Sequence, residues 1–223
     1  MGRPSDARDR LIAAATEIIW NEGYAAFTVD RVCERADVRK GSFYHFFESK
    51  EQLVLGALDA HWARRRPVLD ALFSPSLPPL ERLRRYFASI HERQLDLKSR
   101  TGRLLGCFFN AVAVGAAQQN PEIARKVQGI FATYERYYES ALLEAAARGE
   151  VAIDDVRGKA KSLFALMEGV LAQARIQDDP ELIRTLGHRA FELLGIAERS
   201  AAEPASSRDE RSTTAATRTG AQA

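Results

Sequence analysis

Residues 28–54 read TVDRVCERADVRKGSFYHFFESKEQLV, and the order of apolar and polar letters in this stretch decides the fold. Thr28 is a good N-cap for a short helix, and Asp30 sits in its first turn, where the positive end of the helix dipole favours an acid. Ala36-Asp37-Val38 then reads as a turn, with Asp37 in the position that needs a left-handed backbone. Asp tolerates that region better than most residues, though less readily than Gly. A second short helix follows. Val38 and Phe43 point inward to lock it, and Phe46 and Phe47 continue the buried side. Arg39, Lys40, Gly41, Ser42, Tyr44 and His45 are left on the outer face and at the helix N-terminus. Ser49 and Gln52 form a capping box that starts the next helix.

Working outward, helical periodicity extends along most of the chain. Leu11, Ala15, Ile18 and Ile19 make one face of a first helix, capped at Ser5 or Asp6 and stopped at Gly23. The helix after Ser49 runs through Val54, Leu58 and Trp62, and FSPSLPP separates it from one carrying Leu80, Leu83, Phe87 and Ile90. A shorter helix falls in RLLGCFFNAVAV. Asn120 and Pro121 open a long helix, with an N-cap and then Pro at the first position, and Gly149 closes it. Two more apolar faces follow: Ala160 to Leu171, and Leu182 to Leu194 after an Asp-Asp-Pro start. The expectation is an all-α fold of about nine helices. Its domains are a three-helix helix-turn-helix unit (1–50), a helical effector-binding and dimerisation domain (51–198) and a disordered tail (199–223). The tail lacks any large apolar residue to repay the entropy of ordering.

Composition narrows the function. Of 223 residues, 46% are hydrophobic and 28% charged, and the formal net charge is only +2, so any nucleic-acid contact must come from a local patch. No apolar run approaches the ~20 residues that span a bilayer, and no apolar segment follows the charged N-terminus, so the expected location is cytoplasmic, without a membrane partner. Cys33 and Cys107 form no disulfide or metal framework. His45, His61, His91 and His188 are scattered without metal-ligand spacing. There is no G-x-S-x-G and no phosphate-binding glycine loop, so the chain is expected to be no enzyme and to need no cofactor or metal.

The outer face of the second short helix suits double-stranded DNA. The N-terminal residues of such a helix meet base edges in the major groove, where Arg and Lys donate to guanine. Gly41 lets the backbone approach, while Thr28, Tyr44, His45 and Lys50 offer donors to phosphates. The candidate DNA-binding residues are therefore Thr28, Arg39, Lys40, Gly41, Ser42, Tyr44, His45 and Lys50.

At these residues the sequence resembles the TetR family of bacterial transcriptional regulators. Thr28, Ala36, Val38, Lys40, Gly41, Ser42, Phe43, Tyr44, Phe47, Lys50 and Leu53 match the family pattern. Asp37 stands for its usual Gly and Arg39 for its usual Ser. The resemblance implies a ligand-responsive repressor released from a palindromic operator by a small molecule. It also implies a homodimer formed by the last two long helices, and an effector pocket among the middle ones. Candidate lining residues are Phe87, His91, Cys107, Phe108, Asn110, Phe131, Tyr134, Phe164, Met167 and Gln173. This set is aromatic with few charges, which favours a mostly apolar small molecule. The segment Gly106-Cys107 resembles a subgroup with members that respond to electrophiles or oxidants. Alternative readings are thus a redox or electrophile sensor acting through Cys107, or a nonspecific helical DNA-binding or interaction module.

Overall fold

A computed structural model describes residues 4–196. The expected tail lies outside the described residues. Those residues form ten α-helices and one 3₁₀ turn: α1 (Pro4–Glu22), the turn (Tyr24–Ala26), α2 (Val29–Ala36), α3 (Lys40–Phe46), α4 (Lys50–Leu72), α5 (Pro79–Thr101), α6 (Phe108–Ala116), α7 (Pro121–Ala147), α8 (Val156–Gln177), α9 (Glu181–Arg184) and α10 (Leu186–Leu193).

Local signals set most of these boundaries. The Thr28 side chain accepts from Arg31 N, Ser49 accepts from Gln52 N, and Asn120 accepts from both Glu122 N and Ile123 N. Gly23 (φ 91°) ends α1 and Gly149 (φ 71°) follows α7, both in the left-handed region open to glycine. Two expectations are corrected. Asp6 lies in the first turn of α1, which already runs from Pro4, so neither Ser5 nor Asp6 is its cap. The single last helix is divided at Thr185, which ends α9 and precedes α10. Its hydroxyl donates to Leu182 O at 3.1 Å, a side-chain bond of the kind that competes with the helix ladder.

The first three helices pack around Leu11, Ala15, Ile18, Ile19, Phe27, Val32, Phe43 and Phe47, all buried. Asp37 adopts the expected left-handed conformation (φ 50°, ψ 52°), its N–H reaching Cys33 O and Glu34 O. Arg10 of α1 closes this end of α2 by donating to Ala36 O at 2.8 Å and Asp37 O at 3.3 Å. The helices α4, α5, α7 and α8 pack on one another below this unit, and α1 rests directly on α4 and α6. The 3₁₀ turn also meets α6, and closely: a Cβ on Gly115 would lie 2.2 Å from Tyr24 Cβ, so only glycine permits this approach.

The conformation at position 37 makes a stability prediction. Asp37→Val, β-branched in a left-handed site, should lower unfolding free energy by ~1–2 kcal/mol, while Asp37→Gly should stay within about 0.5 kcal/mol of wild type. Urea denaturation followed by circular dichroism measures both.

Candidate nucleic-acid interface and a buried polar cluster

Helix α3 is short and anchored from behind. Phe43 is fully buried and Phe47 nearly so, and their rings lie 5.9 Å apart. Phe46 is half-buried, packed against the same core with its ring edge-on to His45, so it closes the margin of the anchor that Phe43 and Phe47 form. Arg39 is the N-cap in an extended conformation, with no side-chain cap bond. Thr28, Arg39, Lys40, Gly41, Ser42, Tyr44 and His45 are all exposed. Tyr44, at 55%, is among the more exposed large side chains. Lys50 differs: it is half-buried, its ammonium 5.3 Å from the centroid of the Tyr24 ring. Several cations of this unit already have acidic partners. Lys40 pairs with Asp30 at 2.7 Å, Arg31 with Glu22 at 2.5 Å, and Arg35 with Glu17 at 2.6 Å. The Asp30 carboxylate beside Lys40 holds its ammonium above the ordinary lysine range.

The helical body contains a second candidate, which the sequence reading missed. Six side-chain atoms are sealed from solvent without a hydrogen-bond partner: His61 Nδ1, Arg65 Nε, Arg93 Nε, Tyr138 Oη and both carboxylate oxygens of Glu168. They come from α4, α5, α7 and α8. Their charges act on one another: Arg65 and Arg93 on His61, Arg65 on Arg93, and Arg93 on Glu168. Burial first, and then the nearby arginines, push the His61 imidazole down to about 3, so it is neutral at physiological pH. Burial pushes the Glu168 carboxyl up, and desolvation pushes the Arg93 guanidinium down. Rings surround the cluster: His61 lies 4.7 Å from Phe108 and 5.1 Å from Phe109, and Trp62 lies 5.7 Å from Tyr134.

The expected pocket residues divide. Phe108, Phe131, Tyr134 and Phe164 belong to this aromatic surround. Met167 is buried beside it, and Phe87 is buried against Tyr86 and Tyr138. His91 is half-buried. Gln173 is exposed, bonded to Gln177, so it faces away from the interior. Cys107, the N-cap of α6, adjoins Glu168, and burial together with that carboxylate drives its thiol well above the ordinary range. A thiol held protonated is a poor nucleophile, which favours packing over redox or electrophile sensing at Cys107. With Asn110, Cys107 also lines a groove of about 660 Å³ between the 3₁₀ turn, α6 and α8. The missed charges did carry a signal. His61 and Arg65 fall in phase with Leu58 and Leu69, and Arg93 with Ile90 and Leu97, so each interrupts an apolar stripe.

The cluster and the reading unit meet at residues 102–107. Gln94, fully buried beside Arg93, accepts from Gly106 N at 3.1 Å and donates to Gly106 O at 2.9 Å. Leu105 O accepts from Trp20 Nε1 of α1 at 3.0 Å and from the Arg175 guanidinium at 3.1 Å. Arg175 donates in turn to Trp20 O at 3.0 Å. The Trp20 ring stands edge-on to His61, centroids 5.2 Å apart.

A family model for "Bacterial regulatory proteins, tetR family" matches residues 11–57. A second, "Tetracyclin repressor-like, C-terminal domain", matches residues 79–217, more than half of the chain. The chain belongs to the TetR family. It is a transcriptional regulator and not an enzyme. The transcriptional regulator AcuR of Cereibacter sphaeroides is 29% identical over 188 residues, covering 81% of this chain and 84% of that protein. The HTH-type transcriptional repressor DhaR of a Mycobacterium species is 26% identical over 189 residues, covering 84% and 91%. Among solved structures, a regulatory protein TetR from Rhodobacter sphaeroides superposes with a TM-score of 0.75 at 27% identity, covering 84% of this chain and 98% of that one. Among the described residues of this family member, no helix is long and apolar enough to cross a membrane.

The depressed His61 titration sets a pH dependence. Its folded pKa lies below the unfolded value, so below about pH 6.5 the unfolded chain takes up a proton that the folded chain refuses. Stability is then lost as pH falls towards 3. His61→Phe should lessen the loss between about pH 7 and pH 5 by up to ~2 kcal/mol. Parallel thermal melts of the two proteins test this.

Proposed function

We propose that the chain is a homodimeric repressor that binds a two-fold symmetric operator through α3 and is released when a small molecule enters the buried cluster. The carrying observation is the continuous set of bonds from that cluster to the reading unit: Gln94 to Gly106, then Leu105 and Arg175 to Trp20 of α1. A ligand that repositions α5 at Arg93 also moves its neighbour Gln94 and the loop on which α1 rests. Binding then shifts the population between DNA-competent and DNA-incompetent arrangements, provided the ligand favours one of them. The name of the DhaR relative, a repressor, agrees with this direction of control.

The exposed side of α3 is read as the DNA face. Arg39 and Lys40 lie at its N-terminus for base edges, Gly41 permits close approach, and Ser42, Tyr44 and His45 reach phosphates with Thr28. Lys50, stacked on Tyr24, serves at the margin. One such helix buries too little surface for selective binding, so two half-sites are read by two copies. On α8, Ala165, Gly169 and Ile176 are exposed on one side of the helix, and no atom lies within 4 Å of a Cβ placed on Gly169. That surface suits close approach of a second α8.

In vitro selection from a random duplex library tests the reading. Enrichment of a symmetric sequence is expected, whereas salt-sensitive binding with no sequence preference would leave only a nonspecific binder. Lys40→Ala and Tyr44→Phe should each weaken the selected duplex ~5-fold or more at unchanged helix content, in keeping with the loss of one polar contact. Wild-type affinity in both would remove this face from the interface. Gly169→Glu should convert the dimer to monomer in sedimentation and weaken operator binding with it. A monomeric wild type at micromolar concentration would refute the dimer.

A further inference from the structure

Buried polar groups in folded proteins are almost always hydrogen-bonded, and a buried charge without a partner is costly. This chain follows that rule elsewhere. Arg82, 2% exposed, pairs with Glu144 at 2.6 Å and donates to Leu77 O at 2.8 Å and Pro75 O at 3.2 Å. Arg65, 8% exposed, and the half-buried Arg93 have no ion pair among the described residues, and the Nε of each is sealed from solvent without a partner. Glu168, within electrostatic reach of Arg93, bonds neither arginine, and the only polar side chain facing its carboxylate among the described residues is the weakly donating Cys107 thiol. All the buried side-chain polar atoms without partners among the described residues fall in this one cluster. Two guanidiniums against one carboxylate, with a neutral imidazole, leave an excess of one positive charge when Glu168 is ionised.

Resting on the reading of the chain as effector-responsive, we propose that the Arg65–Arg93–Glu168 cluster is the effector site and that it selects a small organic monocarboxylate. A single carboxylate neutralises the excess charge and accepts from guanidinium donors, the pairing that arginine's planar fork favours. A phosphate monoester, nearly doubly charged at neutral pH, would overshoot that balance while Glu168 is ionised. The Trp62, Phe109, Tyr134 and Phe164 rings pack around the cluster, so an apolar body attached to that carboxylate would lie against aromatic faces. This alters the picture drawn from the aromatic residues alone, in which the ligand is chiefly apolar.

The test uses the full chain and the duplex selected in vitro. Propionate, hexanoate and benzoate are compared with their amides and with propylamine, hexylamine and benzylamine, at constant ionic strength, by thermal shift and by fluorescence anisotropy of the labelled duplex. At least one carboxylate should raise the melting temperature and weaken DNA binding, with its amide and amine silent. In Arg93→Met the carboxylate affinity should fall ~10-fold or more. Arg65→Met and Arg93→Met should melt at or above the wild-type temperature, because an uncompensated buried charge is replaced by an apolar chain of similar shape. Activity of an amide or amine with the carboxylates silent overturns the ligand class, as does silence of the whole panel. A carboxylate response undiminished in Arg93→Met overturns the site. Melting of both Met variants far below wild type, with no carboxylate response in the wild type, assigns the arginines to the scaffold and overturns the proposal. A carboxylate that raises the melting temperature but leaves DNA affinity unchanged keeps the site and removes the effector-responsive reading.

Discussion

The Arg175 guanidinium ties the two halves of the molecule together. It reaches from α8 to the carbonyls of Trp20 and Leu105, the first ending the helix that carries the reading unit and the second in the loop before α6. Neither carbonyl belongs to the interior of a regular ladder, so each needs a donor from elsewhere. Arg103 adds a bond to Asn21 O, and Asp178 accepts from Leu104 N at 2.8 Å and from Lys98. The loop is thus held by α5 and α8 while it holds α1. Few side chains bear on the relation between α1 and the body as directly, and they are polar and directional rather than merely apolar.

That arrangement explains the division of labour among the helices. Gly115 allows α6 to press against the 3₁₀ turn, and Trp20 inserts its ring between the reading unit and His61. Packed interiors respond to a change in volume or charge by moving between discrete arrangements rather than by deforming smoothly. A perturbation at Arg93 has a short route to Trp20 because Gln94 is its sequence neighbour.

What was legible in the sequence was local. Thr28, Ser49 and Asn120 declared themselves as caps because a cap is a bond between residues two or three apart. Asp37 declared its left-handed turn because few residues tolerate one, and the exposed side of α3 was readable because its spacing is that of a single short helix. The break at Thr185 was hidden, since Leu182 to Leu194 keeps its periodicity across it. The buried cluster was hidden for a different reason: its members lie on four helices, and only tertiary packing brings Arg65, Arg93 and Glu168 into one interior region. The aromatic residues of the middle helices, Phe108, Tyr134 and Phe164 among them, lie around the cluster, and the charges within it left no pattern as plain as theirs.

The pairing of Lys40 with Asp30 has a consequence for how the unit meets a polyanion. Asp30 serves as an internal counter-ion, as Glu22 and Glu17 do for Arg31 and Arg35. When phosphates approach, these cations exchange one anion for another, and fewer condensed ions are set free than the number of cations suggests. The entropic gain that drives indiscriminate attachment to DNA is therefore reduced at these three cations. With α3 proposed as the DNA face, acids beside its cations favour the fit of that helix to particular base edges over attachment to any polyanion.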